Sequence, residues 1–290
     1  MSIKKSILTS VLLLLIINFF PTTIFADVGP KPSLEIIVKG IDNDNYWLDL
    51  LVTDESTYSW LELTDEELGR VKKLAEYEDE EGFHPALLVG TRVPLNGKLK
   101  GDKNSDNTYS HNFSYVGTPE FFKIAILTED DTLIISDLIH RKHFNSIVEF
   151  DLEDEILQED IILSAGEVKE IIPIKRMSLG FISRLTLTLA IEIGIALLFG
   201  FTIKNSGNTL LQTNLLTQIL LNIAILWMGL SYGMLAALLI FIVMEIFIIM
   251  FETIIYAKYL TEKSKGRRIT YGVLANTASL MIGFVINLMM

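Results

Sequence analysis

Three glutamates stand inside long apolar segments of this sequence. Glu192 lies in the segment 179–203, and Glu245 and Glu252 lie seven residues apart, on one helical face, in the segment 232–260. A carboxylate inside a bilayer is unfavourable by at least a few kcal/mol, so it must face neighbouring helices and find partners there. Three such groups predict a site for a proton or a small cation. The structural alternative is a set of protonated glutamates that hydrogen bond between helices.

Amide and hydroxyl side chains recur in the neighbouring apolar segments. Together with the glutamates they form the candidate site, which comprises Glu192, Asn214, Thr217, Asn222, Glu245, Glu252, Asn276 and Ser279. At about 1.5 Å of helical rise per residue, these side chains fall into two layers. The inner layer holds Asn214, Thr217, Glu252 and Asn276, and the central layer holds Glu192, Asn222 and Glu245. The inner layer predicts a contact between Glu252 and Asn276.

Four apolar segments must position these side chains, at 179–203, 210–230, 232–260 and 270–290. Each is long enough for a membrane span, which needs about 20 residues. Residues 1–26 combine two lysines, an apolar run and a small residue before Asp27, which is typical of a cleaved signal peptide; the alternative is an uncleaved N-terminal anchor. The loop 258–268 carries five basic residues, and the positive-inside rule places it in the cytoplasm. Both signals predict a multi-pass protein of the cell (plasma) membrane, with residues 27–176 and the C-terminus outside.

Residues 27–176 form an acidic block ahead of the apolar segments, with 32 acidic and 15 basic residues. Segments rich in β-branched and aromatic residues at 34–38, 46–52, 121–127, 132–136 and 144–150 predict strands. Thr64 and Glu67 form a capping-box pattern that predicts a helix near 64–81. We therefore expect a multi-domain membrane protein. A small antiparallel β-sandwich with a helical insertion is joined by the short segment 171–177 to a four-helix transmembrane bundle at 177–290.

The acidic block has no catalytic or metal-binding pattern. His140 and His143 fall at a strand boundary, where a spacing of three puts them on opposite faces, so we expect solvated surface histidines. The acidic run 151–160 lacks the spacing of a calcium loop and is typical of a solvated segment. Because the chain also has no cysteine and no nucleophile or phosphate-binding motif, we predict no enzyme, no metal and no cofactor. The net charge of −12 argues against a nucleic-acid partner.

A recurrent pattern covers the last three apolar segments. It has Asn-Leu-x-Thr at 214–217, two glutamates seven apart followed by Tyr256, and Ala-Asn-x-x-Ser-x-x-x-Gly at 275–283. In this the chain resembles a family of uncharacterised bacterial integral membrane proteins. Residues 27–33 and 117–124 resemble the secreted domain that accompanies such segments in low-GC Gram-positive bacteria. One departure is Gln218-Ile219, where the pattern has a proline. The resemblance implies a secreted β domain and a four-helix membrane segment, and no known activity.

Two classes of function follow from these features. The catalytically silent acidic domain favours a cell-surface sensing or binding protein that recognises a ligand or partner outside the cell. The glutamates favour a small proton- or cation-coupled transporter or channel subunit. Four helices seldom enclose a pathway alone, so this second function calls for a homo-oligomer or another membrane protein as partner, within the lipid bilayer. An intramembrane enzyme would need a metal set or a nucleophile pair that the apolar segments lack.

Overall fold

The computed structural model describes residues 29–41, 45–59, 61–152, 160–172 and 174–289, so the predicted leader and most of the acidic run 151–160 lie outside the described residues. The strands are β1 Ser33–Lys39, β2 Tyr46–Val52, β3 His84–Pro85, β4 Asp102–Lys103, β5 Tyr109–Ser114, β6 Phe121–Thr128, β7 Leu133–Ile135, β8 Ile139–His140, β9 Asn145–Asp151, β10 Ile161–Leu163 and β11 Glu167–Ile171. The helices are α1 Asp65–Arg70, α2 Lys72–Ala75, α3 Ile174–Leu198, α4 Ile203–Tyr232, α5 Met234–Tyr259 and α6 Lys265–Met289.

Residues 33–171, here called the β-rich region, form two sheets around a shared core. The strand orders are β11-β9-β1-β5-β4 and β10-β7-β6-β2-β3, and β8 pairs with β6. Strand β1 alternates buried and half-buried residues, as a strand with one face on a core should. Its buried Leu34 and Ile36 join Leu48 and Ile124 of the second sheet in one apolar cluster. A smaller cluster on the outer face of the second sheet includes Leu74 of α2, so the helical insertion covers that face.

The sheets are mixed, and the prediction of a wholly antiparallel arrangement is wrong. Strand β1 pairs with β9 in parallel, and β7 pairs with β10 in parallel. Each pair joins strands that are distant in sequence, so no tight hairpin forces the antiparallel direction. The five segments predicted as strands correspond to β1, β2, β6, β7 and β9.

The helical insertion begins as the sequence predicts. Thr64 is the N-cap of α1, with Thr64 and Glu67 each bonding to the other's backbone N–H. The insertion is shorter than expected, because α2 ends at Ala75. The two short helices, with Val71 between them, are only long enough to place Val71 and Leu74 on the neighbouring sheet.

Residues 174–289, here called the helical region, contain three helices long and apolar enough to cross a membrane, at Met177–Leu198, Ile203–Tyr232 and Met234–Tyr259. Helix α6 packs against α3 and α5, and α4 packs against α3 and α5, so each of the four helices has two neighbours. Helix α3 begins at Ile174 and ends at Leu198, whereas its apolar segment runs from 179 to 203. It ends early because Gly200, just beyond Leu198, adopts a φ of 77°. Helix α4 runs unbroken through Gln218.

Phe144 joins the β-rich region to the helices. Its backbone N–H donates to the carbonyl of Leu230, 2.7 Å away. Its ring covers Gly233, the single residue between α4 and α5. Gly233 has a φ of 85°, which favours glycine, and a Cβ at this position would lie 2.7 Å from the Phe144 ring. The β-rich region therefore rests on the turn that connects two candidate membrane spans.

Candidate functional site

Six buried polar side chains from all four long helices meet in the helical region, and we call them the carboxylate cluster. They are Glu192 of α3, Asn214 and Thr217 of α4, Glu252 and Tyr256 of α5, and Asn276 of α6. None is more than 3% exposed. Buried polar groups at such a density need one another as hydrogen-bond partners, because apolar side chains or lipid surround them.

The hydroxyl of Tyr256 is the centre of the cluster. It lies 3.2 Å from Oε2 of Glu192 and 3.0 Å from Oε2 of Glu252. The Asn214 amide nitrogen lies 2.9 Å from the same hydroxyl and donates to Glu192 Oε2 over 2.8 Å. One phenol therefore bridges two carboxylates that come from different helices. The backbone carbonyl of Glu192 also accepts from the Tyr271 hydroxyl at 3.3 Å, which fixes α3 against α6.

Glu252 has further partners on both sides. Its Oε1 lies 2.5 Å from the hydroxyl of Thr217, which also faces the carbonyl of Thr213 at 3.0 Å. The side chain of Asn276 interacts with the same carboxylate. This agrees with the predicted proximity of Glu252 and Asn276, and the amide nitrogen of Asn276 also donates to the carbonyl of Gly272 at 3.0 Å.

The two hydroxyl groups of the cluster have more oxygen neighbours than they have hydrogens to donate. Tyr256 has one hydroxyl hydrogen and lies between two carboxylate oxygens, and Thr217 has one and faces both Glu252 and a backbone carbonyl. Ionised carboxylates only accept hydrogen bonds, so they cannot supply what is missing. One hydroxyl hydrogen cannot make two full-strength bonds, so a hydrogen on a glutamate, or a cation that the oxygens share, would satisfy the second contact to Tyr256 or Thr217 better than a divided hydrogen bond.

Charge favours the same hydrogen or cation. The two Oε2 atoms lie within 3.2 Å of one hydroxyl, so they are at most about 6 Å apart. Two unit charges at this separation repel by about 3 kcal/mol at an effective dielectric constant of about 20. Among the described residues, the partners of both carboxylates are amides and hydroxyls, and no basic side chain pairs with either. One positive charge on the pair removes this repulsion.

Two oxygens of the cluster accept no hydrogen bond from any described residue. They are Oε1 of Glu192 and Oδ1 of Asn214, and both are buried. Carboxylate and amide oxygens are the ligands that hard cations prefer, and a protonated carboxyl would equally use such a position. An apolar cavity of about 380 Å³ between α3 and α4 is lined by Ile193 and Leu210, next to these residues.

The structure divides the predicted site into two groups. Asn222 accepts a hydrogen bond from Arg184 at 2.6 Å instead of meeting the glutamates. Glu245 is buried but hydrogen bonds to no described residue. Ser279 donates to the backbone carbonyl of Asn276. The cluster itself gathers Glu192, Asn214, Thr217, Glu252 and Asn276 from the predicted set.

The placement of Glu192 in a central layer is wrong. The predicted layer is counted from residue 203, the end of the first apolar segment, whereas α3 ends at Leu198. Glu192 is therefore about 9 Å from its helix end, as Glu252 is from Lys258, at about 1.5 Å per residue. This difference of about one turn moves Glu192 from the level of Glu245 to that of Glu252.

Three residues of the site were absent from the predicted set. Tyr256 bridges the carboxylates, Tyr271 supports Glu192, and Arg184 holds Asn222. Arg184 is a charged residue within an apolar segment, which is by itself a signal of this kind. Tyr256 follows Glu252 by four residues and therefore lies on the same helical face, which is a weaker signal.

Two buried ionisable groups of the β-rich region serve its own packing. Asp49 is fully buried, and burial raises its pKa to about 7 although the N–H groups of Leu87, Leu88 and Leu50 donate to it. Burial lowers the pKa of His111 to about 4, and its ring bonds to the Tyr46 hydroxyl at 2.9 Å. His111 therefore points into the core, whereas the two histidines expected at the surface lie there in part: His140 is exposed and His143 is half-buried beside Glu170.

Comparisons with protein-family models, curated proteins and solved structures find no match to this chain. The resemblance noted from the sequence stays a prediction. The function must therefore be inferred from the chemistry of the site.

Proposed function

We propose that the protein is a cell-membrane protein whose four long helices form a transmembrane bundle below an extracytoplasmic domain built as a β-sandwich. The leader and the basic loop 258–268 support this orientation. The contact of Phe144 with the α4–α5 turn agrees with it, because that turn and the basic loop are at opposite ends of α5. Helix α6 has the length of a span, with 25 residues.

We infer that the bundle binds one proton or one small monovalent cation at the Glu192–Glu252 pair, as a small ion-coupled membrane protein does. The observation that carries this is the bridging of two buried carboxylates by a single tyrosine hydroxyl without a basic partner among the described residues. Structural glutamates would need only their neutral hydrogen bonds. The unpartnered oxygens of Glu192 and Asn214 favour a site with a ligand of its own.

Thermal unfolding of the purified full-length protein tests this function. Lithium, sodium and potassium chloride are compared with choline chloride at constant ionic strength and alkaline pH. A cation present at 100 times its Kd stabilises the folded protein by about 2.7 kcal/mol, so one of these salts should raise the unfolding midpoint. Glu192→Gln and Glu252→Gln should abolish the rise, and the matched control Glu245→Gln, a buried glutamate outside the cluster, should retain it.

Protons give a different result in the same experiment. If the ligand is a proton, acidification stabilises the wild type more than either cluster variant, and no salt has an ion-specific effect. An ion-independent midpoint with the same pH response in wild type and Glu252→Gln would overturn the inference. The glutamates would then be structural.

A second candidate function is sensing or binding at the cell surface. The contact between Phe144 and the turn at Gly233 favours it, since a ligand or partner that displaces the β-rich region would act on α4 and α5. Disulfide trapping across this contact, between positions 144 and 230, tests whether it links the two regions.

A further inference from the structure

One surface segment of the β-rich region differs sharply in charge from its surroundings. Residues 138–144, here called the base segment, read Leu-Ile-His-Arg-Lys-His-Phe and contain no acid. Residues 27–176 as a whole contain 32 acidic residues against 15 basic ones. A basic and apolar segment within an acidic region indicates a surface that meets something anionic and apolar.

The base segment is tied to the end of the membrane helices. Phe144, its last residue, bonds to Leu230 and covers Gly233. Arg141 orders the segment by donating to the carbonyls of His143 and Phe144, at 2.6 and 3.0 Å. The base segment is therefore held at the turn between α4 and α5 through its last residue.

A neighbouring strand end joins the same surface. Arg141 donates to the carbonyl of Pro119 at 2.9 Å, and its backbone N–H donates to the carbonyl of Glu120. Phe121 follows directly and stacks on His140, with ring centroids 4.5 Å apart. Phe121 is 52% exposed and Leu138 is 53% exposed. Two large apolar side chains of this exposure, together with the exposed Lys142, therefore lie on or directly against the base segment.

We propose that the base segment and Phe121 are seated in the membrane interface, with Phe121 and Leu138 at the boundary between headgroups and acyl chains. Burying an exposed aromatic or leucine side chain removes apolar surface from water, which is favourable, and aromatic rings concentrate at this level of a bilayer. Lys142 meets anionic headgroups, although Glu120 and Glu170 pair with the adjacent histidines. This inference requires membrane-spanning helices and is independent of the carboxylate cluster.

Site-specific labelling of the full chain tests the proposal. Because the chain has no cysteine, Phe121→Cys and Leu138→Cys each give one labelling position for an environment-sensitive fluorophore. Leu68→Cys is the matched control, since Leu68 is also a large apolar residue of α1 with 48% exposure. The labelled proteins are reconstituted in phosphatidylcholine vesicles with and without phosphatidylglycerol, at low protein-to-lipid ratio.

Labels at 121 and 138 should be quenched severalfold less by aqueous iodide than the label at 68, and severalfold more by nitroxide-bearing lipid. Lys142→Gln should reduce the difference in the vesicles that contain phosphatidylglycerol. Equal iodide quenching at all three positions would overturn the proposal. So would protection at 138 that appears only as the protein-to-lipid ratio rises, because a second copy of the chain would then cover this surface.

Discussion

Removing one carboxylate of the pair should remove the need for a bound positive charge. We consider a double-mutant cycle of Glu192→Gln and Glu252→Gln. The two oxygens are at most about 6 Å apart, and their mutual repulsion is about 3 kcal/mol at an effective dielectric constant of about 20. In alkaline solution without alkali cations, each single variant relieves this repulsion, whereas the double variant relieves nothing more. The coupling free energy should therefore be about 3 kcal/mol, far above the value for independent sites.

The assay is the free energy of unfolding of the four proteins, measured in one detergent at alkaline and at acidic pH. At acidic pH a bound proton neutralises the pair, so the coupling should fall towards zero. Additive effects of the two substitutions at alkaline pH, within about 0.5 kcal/mol, would refute the reasoning, since contacting charges of one sign cannot act independently. An equal coupling free energy at alkaline and acidic pH would show that the carboxylates do not share a charge.

Two further predictions concern the β-rich region. The raised pKa of Asp49, about 7 against 3.8, means that its contribution to stability is complete below about pH 4 and is lost as the pH rises to 7, by about 4 kcal/mol. The free energy of chemical unfolding should therefore fall more steeply from pH 4 to pH 8 in the wild type than in Asp49→Asn. Identical slopes of this free energy against pH would contradict the prediction. Gly233→Ala should weaken the contact with Phe144, because a non-glycine residue at this φ is strained by about 1–3 kcal/mol and its Cβ meets the ring. Because Phe144→Cys removes the ring, disulfide formation between Phe144→Cys and Leu230→Cys reports the backbone strain at position 233 alone. It should fall in Gly233→Ala and stay unchanged in Gly229→Ala, whose Cβ meets only Ala237 at 3.5 Å; equal trapping in both variants would be the opposing result.

The sequence was most informative where one physical requirement dominates. Strands β1 and β9 alternate in burial, and Thr64 and Glu67 satisfy the start of α1, so local pattern predicted these elements. Strand β5 escaped notice because polar residues, including the buried His111, occupy positions that a hydrophobic pattern would need. Parallel pairing of β1 with β9 depends on contacts between distant residues, which periodicity does not contain.

For the carboxylate cluster, the sequence predicted which residues belong to it better than it predicted the distances between them. The unfavourable free energy of a charge in lipid identified Glu192 and Glu252 without any structure. Their mutual distance depended on where α3 ends, and the apolar segment continued past the helix end at Leu198. Helix ends that fall within apolar sequence are set by local backbone conformation, here by Gly200. An error of one turn is enough to separate residues that in fact share a hydroxyl.

The connection between the two regions gives the two candidate functions a common element. Helices α4 and α5 are joined by Gly233 alone, so they form a hairpin that the β-rich region contacts at its turn. Most of the carboxylate cluster lies on the hairpin far from its turn. Glu252 is about 28 Å from the turn, at about 1.5 Å of rise per residue. Glu192 belongs to α3, outside the hairpin, and reaches it through Asn214 and Tyr256. A tilt of the hairpin by about 5° moves its far end by about 2.5 Å, which is enough to break hydrogen bonds of normal length. If the hairpin tilts when the β-rich region is displaced, the distance between the two carboxylates changes, and with it the affinity for the positive charge that we propose they share.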